Sequence, residues 1–203
     1  GSICITHLHA DHVMDLANIF QGSWPSSTID VYGPAPAGPP FTTHTDPVHP
    51  LRFPDDPAPG VRRMIGHLDR AFAMNINSRA IAEHRTDYVD HVRVHEIGLA
   101  GELAAEATAD DVLIDLEFDR SAPDFEVPPM EPFVARPQDA RGVTITAVLV
   151  QHAPVFPALA YRFDTPSGSA VFSGDTGPCD NVVRLAAGAE ALVHEVIDLD
   201  ALL

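Results

Sequence analysis

Lysine is absent from this chain. All 12 basic residues are arginines, set against 29 Asp and Glu, for a formal net charge of −17 over 203 residues. Such a surface repels phosphate backbones at long range, which counts against broad nucleic-acid binding, and it attracts metal cations. Cysteine is nearly absent too. Cys4 and Cys179 are too few for a disulfide scaffold and lack the Cys-x-x-Cys spacing of a zinc ribbon or redox motif, so both read as small buried or half-buried thiols. No apolar run approaches the roughly 18 to 20 residues that span a bilayer, and the longest, such as 143–150, alternates like a strand. The chain therefore reads as soluble, without a membrane partner. No leader pattern is visible, which reads as cytoplasmic, although the chain opens on what look like mid-strand residues and more sequence is expected upstream. Internal repeats, a Gly-x-Gly-x-x-Gly turn, a Walker loop and a Gly-x-Ser-x-Gly elbow are all missing, which removes repeat arrays and dinucleotide, nucleotide triphosphate and serine-hydrolase chemistry.

With 45% hydrophobic residues, the chain can bury one sizeable core, and a single domain over 1–203 is expected. Residues 2–6 read as a short strand feeding a polar loop, and 13–20 carry apolar residues at the spacing of a helix. Another strand is expected over 29–32. It is followed by Gly33-Pro34 and a stretch to residue 60 so rich in proline that regular structure is not expected. From 61 to about 91 the pattern turns helical, with Met64, Leu68, Ala71 and Phe72 on one face and a break at 75–78. The stretch 33–91 thus reads as a proline-rich loop and helical insertion. Strands are expected at 92–97, 112–118, 133–136, 143–151, 158–163 and 170–173. A helix over 180–187, a buried strand over 191–196 and an element starting at Leu199 complete the chain. This succession predicts a layered α/β domain, with the topology left open.

The chemistry concentrates in Thr6-His7-Leu8-His9-Ala10-Asp11-His12. In an extended segment residues two apart point the same way, so His7 and His9 face together while Leu8 turns inward. A strand end can thereby offer two imidazoles to one ion. Asp11 and His12 follow at the turn into a helix, close enough to ligate a neighbouring ion, and carboxylate with imidazole suits Zn2+, Mn2+ or Fe2+. Taken singly, Asp11 could cap the helix and His7 or His9 could be strand-end residues bonded to backbone. Capping accounts for none of the histidines, so the four residues together point to metal. His91 and His95, with His84 and Asp87 nearby, have i, i+4 spacing but lack the intervening Glu of a metalloprotease helix, and they read as a solvated or partly buried face. His44, His49 and His67 have no second ligand at useful spacing.

The stretch 6–12 resembles the His-x-His-x-Asp-His signature of the metallo-β-lactamase superfamily, and later segments resemble its ribonuclease Z-like and arylsulfatase-like branch. These are Tyr32-Gly33-Pro34, Gln151-His152-Ala153-Pro154 running into Pro157-Ala158-Leu159-Ala160-Tyr161-Arg162-Phe163, Ser173-Gly174-Asp175-Thr176, and Leu192-Val193-His194-Glu195. They follow the family's order over nearly the whole chain, with 36–131 matching least. The resemblance implies a metallo-β-lactamase-like αββα sandwich, here incomplete at both ends. It implies His7, His9 and His152 around a first Zn2+, Asp11 and His12 around a second, and Asp175 bridging them, with Mn2+ or Fe2+ as alternatives. Neutral imidazoles leave a metal electrophilic, and a shared carboxylate lets two cations sit close together. It further implies that Asp11 aligns or deprotonates the nucleophile, that His194 protonates the leaving oxygen and that Glu195 orients His194.

Two departures stand out. Val196-Ile197 replaces the Ala-Thr usual after the His-Glu pair. A further metal-binding histidine, which the family places beyond that pair, is not reached before Leu203, and the strands that normally precede the first motif are absent. The expectation is a fragment whose first metal site is complete and whose second, holding Asp11, His12 and the bridge, is more weakly occupied. The implied function is a metal-dependent hydrolase that uses a metal-activated water on a phosphodiester, sulfate ester or related small ester. Ribonuclease Z-type processing of tRNA 3′ ends is the alternative, ranked lower because of the net charge and the lack of lysine. A metal-binding remnant without catalysis is a third reading. The resemblance leaves a homodimer open.

Overall fold

The computed structural model describes residues 1–203 except 24–26, 38–51, 54, 85–87, 104, 123 and 197–203. Most of the proline-rich stretch, with His44 and His49, lies outside the described residues, as do Asp87, Ile197 and the element expected at Leu199.

The first strand, β1 (Ser2–Cys4), pairs in parallel with β2 (Ile29–Pro34), β2 with β3 (Val92–Leu99) and β3 with β4 (Val112–Ile114). Parallel neighbours need crossover connections, and here they are helical. The first crossover carries α1 (Ala10–Val13) and α2 (Leu16–Ser23), and the second carries α3 (Gly60–Ala71), α4 (Ala73–Glu83) and a 3-10 turn (Tyr88–His91). A short α5 (Ala100–Leu103) precedes β4. The second sheet is an antiparallel run of β5 (Phe133–Arg136), β6 (Thr144–Leu149), β7 (Leu159–Thr165) and β8 (Gly168–Phe172). After α6 (Asp180–Ala186) the chain adds β9 (Ala191–Val193) parallel to β8.

Period-two alternation sorts the side chains into layers. Tyr32, Ile97 and Leu99 of the first sheet meet Ile145, Leu149 and Tyr161 of the second in a core between the sheets. The outer face of the first sheet, represented by Val31, is covered by Leu16 and Phe20 of α2 and Val61 and Ile65 of α3. On the far side, Val148, Ala160 and Val171 pack under Val182 and Leu185 of α6. The order is helix, sheet, sheet, helix, the αββα sandwich expected from the sequence.

Several boundaries differ from expectation. The helix expected over 13–20 begins at Ala10 and is interrupted at Met14 and Asp15. Asp15 belongs to a residue type that starts helices, and the apolar spacing runs through the break, so periodicity alone conceals it. Asp11 lies inside the first turn of α1, whose flanking residue is His9 with no side-chain cap, so the capping alternative for Asp11 falls. The break expected at 75–78 falls at Phe72; Asn75 and Ser78 stay within α4, with Asn75 donating to Gln21 of α2 at 2.5 Å and Ser78 to the Asn75 carbonyl at 2.9 Å, so both polar side chains are satisfied without ending the helix. The strand expected over 112–118 stops at Ile114, beyond which no register with β3 exists. Finally, the strand expected buried over 191–196 is exposed along all of β9, because it pairs on one side only, with β8, at the edge of its sheet.

One junction ties the two sheets together directly below the histidine-rich segment. Leu159 donates its backbone N–H to the Thr6 carbonyl at 2.9 Å, and the Tyr161 hydroxyl donates to the Ile5 carbonyl at 3.1 Å. Gly174, with φ of +61°, approaches the same residue so closely that an added Cβ would lie 2.7 Å from the Thr6 Cβ. Gly174→Ala should therefore combine a left-handed backbone penalty of about 1–2 kcal/mol with a steric clash. Chemical denaturation of the metal-free chain should show a loss of at least about 2 kcal/mol, and an unchanged unfolding midpoint would contradict this account.

Candidate metal centre

The candidate side chains come from three loops that meet at one end of the sandwich. His7 follows β1 and is fully buried, its ring 4.7 Å from that of His9 and 4.6 Å from that of His152, centroid to centroid. His9 immediately precedes α1 and is exposed, with its ring 5.2 Å from His152. His152 lies in the loop between β6 and β7, and Asp175 in the loop after β8. One ligand atom from each of His7, His9, His152 and Asp175 lies within 4.8 Å of the others. His12, on α1, extends the group: its Nε2 is 3.3 Å from Asp175 Oδ1, while His7 Nε2 is 3.8 Å from Asp175 Oδ2. Asp175 thus has one oxygen toward each side. Asp11 contributes no atom to the four-residue group; its side chain is 80% exposed, with Oδ2 3.6 Å from His12 Nε2.

The loops are held by backbone contacts. Gly177 donates to the Gln151 carbonyl at 2.7 Å, joining the Asp175 loop to the residue before His152. The Gln151 amide itself is clamped, accepting from Val127 N–H at 2.7 Å and donating to the Phe125 carbonyl at 2.6 Å. The Glu195 carboxylate accepts the N–H of Thr176, next to Asp175. Glu195 therefore engages the Asp175 loop. Its carboxylate is not bonded to the His194 ring, which is exposed and whose Nδ1 lies 2.9 Å from the Glu195 backbone carbonyl. Sequence reasoning gave Gln151 and Gly174 no role beyond motif membership. The signal available for Gly174 was a glycine between two polar residues, where a left-handed turn is most easily made.

Electrostatics favour neutral imidazoles here. Burial, followed by the neighbouring His12 and His152, pulls His7 from 6.5 down to about 4, and burial is also the first cause lowering His152. The Nε2 atoms of His7 and His152 are both buried with no hydrogen-bond partner. Leaving a buried nitrogen unsatisfied costs about 1–3 kcal/mol, and two of them beside a carboxylate are accounted for by a cation. Imidazoles plus a carboxylate suit a divalent transition metal, so the residues present fit a divalent cation. His67, His84 and His95 contribute no atom to the four-residue group. His95 stacks on Tyr32 at 4.3 Å and meets Asp30 at 3.0 Å, a partly buried structural role as expected. His67 and His84 are exposed.

No family model matches the chain. It is 30% identical to a protein named ribonuclease Z from Mycobacterium bovis, with 98% of this chain and 52% of that protein aligned. A protein named putative ribonuclease Z from Mycobacterium tuberculosis is 31% identical over 97% of this chain and 64% of its own length. Among solved structures, human tRNase Z, short form, superposes with a TM-score of 0.54 at 18% identity, covering 98% of this chain and 59% of that one. The chain thus spans about half the length of the first of these relatives. The two-sheet architecture with its histidine cluster is that of a metallo-β-lactamase-fold protein. Over nearly its whole length the chain is similar to proteins named ribonuclease Z. No helix among the described residues is long and apolar enough to cross a membrane.

Two outcomes follow from the geometry. The Glu195 contact predicts that Glu195→Ala loosens the Asp175 loop and weakens Zn2+ affinity about 10-fold or more, whereas Glu195→Gln, which keeps an acceptor, loses less. Competition with a chromogenic chelator measures both, and equal losses would refute the positioning role. The His7 shift predicts a pH effect on the metal-free chain. Between about 4 and 6.5 the unfolded chain binds a proton at this residue that the folded chain does not, so stability rises with pH across that window and is lost on acidification through it. His7→Asn should flatten the dependence of the melting temperature on pH between those limits, and an unaltered slope would contradict the assignment.

Proposed function

We propose that this chain carries the reaction centre of a divalent-metal-dependent phosphodiesterase, with the 3′ end of a transfer RNA as its leading candidate substrate. The observation that carries the reading is the convergence of His7, His9, His152 and Asp175 from three separate loops within 4.8 Å. The names of the relatives support the substrate class. They also reverse the ranking drawn from net charge, which placed a small ester above RNA. Net charge averages over the surface, whereas phosphate recognition depends on the local positive charge that bound cations supply.

In this reading His7, His9 and His152 hold a first cation, Asp11 and His12 a second, and Asp175 lies between the two. The metals, Zn2+ or in its place Mn2+ or Fe2+, supply Lewis acidity toward the phosphoryl oxygens and a water acidic enough to ionise near neutral pH. The protein's own groups do the rest. The buried His7 and the half-buried His152, whose proton affinities are lowered by burial, stay neutral at working pH and so remain available as ligands. Asp175, with its two oxygens turned toward His7 and His12, fixes the separation of the two positions. Asp11, exposed beside His12, can accept a proton from the attacking water, and His194, exposed at the end of β9, can deliver one to the leaving oxygen. Glu195 steadies the loop of Asp175. Residues 1–203 are taken as part of one domain, with 33–91 as an insertion into it.

Loss of a ligand should exceed the 10–100-fold cost typical of groups that merely orient ligands, so Asp175→Ala should reduce hydrolysis on the order of 100-fold or more. His194→Ala should cost less. Zn2+-loaded protein assayed with bis(4-nitrophenyl) phosphate and with a precursor tRNA checks this ranking. Activity equal in Asp175→Ala and wild type, or absent from both substrates and independent of metal, would overturn the proposal.

A further inference from the structure

Beside the cluster, with His9 in its wall, lies a pocket of about 280 Å³. Its other walls come from Leu8, from Pro57 and Pro59 before α3, from Met64 on that helix, and from Phe156 and Pro157 a few residues beyond His152. Among the described residues no Arg, Asp or Glu lines it, and His9 is the one ionisable residue in the lining. The pocket therefore combines a strongly apolar interior with one wall, His9, that belongs to the cluster.

The walls are preorganised. The phenyl ring of Phe156 is 5% exposed and meets Phe118 and Phe125 edge-on at 5.6 and 6.0 Å, with Arg120 stacked on it at 4.1 Å. On the opposite side, Glu96 accepts the backbone N–H of Arg62 at 2.9 Å, and the Arg62 side chain reaches Glu96 at 3.3 Å and Asp111 at 2.5 Å. This fixes the start of α3, and Gly60, with φ of +72°, sits where a Cβ would lie 2.6 Å from Glu96 and Pro36. Because Glu96 already occupies an amide at the α3 N-terminus, that terminus offers little to an anion. Proline rings and a thioether give flat, polarisable surfaces that favour an aromatic face.

We propose that this pocket is the subsite for a neutral aromatic ring on the ester side of the phosphorus held at the cluster, either an aryl group bonded directly to the ester oxygen or a nucleobase joined to it through its sugar. The inference rests on the phosphodiesterase reading for its substrate, but its geometry can be tested without turnover. Phosphonates serve as non-hydrolysable probes. In isothermal titration of the Zn2+-loaded chain, phenylphosphonate should bind about 10-fold more tightly than methylphosphonate, the return expected for burying one ring. Met64→Trp, which fills the pocket, should bring that ratio close to one. If this variant fails to fold by circular dichroism, Met64→Ala should lower the ratio about 3-fold by withdrawing one wall. Adenosine monophosphate is a third probe: a gain over methylphosphonate that Met64→Trp removes assigns the subsite to a nucleobase, and a preference confined to the phenyl probe assigns it to an aryl group. Equal affinity for phenylphosphonate and methylphosphonate in the wild type, or a preference that survives both Met64 substitutions, would overturn the proposal. Failure of the phosphodiesterase reading would appear separately, as intact bis(4-nitrophenyl) phosphate alongside a preserved binding preference.

Discussion

Thr6 and Gly174 approach so closely that one added methyl group would fall 2.7 Å from the Thr6 Cβ, and the centre is arranged around this contact. On one side of it Thr6 leads directly into His7; on the other, Gly174 leads directly into Asp175. The same Thr6 carbonyl accepts the N–H of Leu159, which binds the first sheet to the second at the level where the His152 loop returns. Three loops of very different sequence position are thus brought together, by the main-chain bonds of Leu159 to Thr6 and Gly177 to Gln151 and by the packing of Gly174 on the Thr6 side chain. Side chains carried on such loops are held at nearly fixed separations, as a site for closely spaced charges requires.

The charge distribution follows a related logic. The chain is strongly acidic, yet its buried and half-buried carboxylates away from the centre are engaged: Glu96 and Asp111 by Arg62, Asp30 by Arg93 and His95, Asp164 by Arg162. At the centre Asp175 meets histidines instead, with His7 at 3.8 Å and His12 at 3.3 Å. Burial holds His7 neutral. An uncompensated carboxylate ringed by neutral, partnerless imidazole nitrogens attracts a cation, and the unpaired Nε2 atoms of His7 and His152 are the residue of that arrangement.

What could be read in advance follows from which physical signals are local. The alternation in β6 and β7 and the spacing of His7, His9 and His12 are local, and they yielded the layers and the cluster. The interruption at Met14–Asp15 was hidden, because Val13, Leu16 and Phe20 keep helical spacing straight through it. The exposure of β9 was hidden as well, since an apolar strand reads the same whether it is an edge or a centre. Least legible were contacts between distant backbone groups. Nothing in Gln151 signals that its amide clamps the segment 125–127, and the pairing of Glu195 with Thr176, in place of His194, depends on how the last loop returns across β8.

The division of labour between segments also has a consequence for substrate choice. The stretches that most resemble the family, 6–12, 151–163 and 173–176, build the cluster and the contacts that fix it. The stretch that resembles it least contributes Pro57, Pro59, Gly60 and Met64 to the apolar pocket. A reaction centre tolerates little variation because its atoms must hold separations of a few ångströms, whereas a crossover segment anchored at one helix start, as α3 is by Glu96, can change its exposed wall without disturbing the anchor. On the proposed reading, reaction type and substrate fit are set by different parts of this chain, and the second can drift while the first stays fixed.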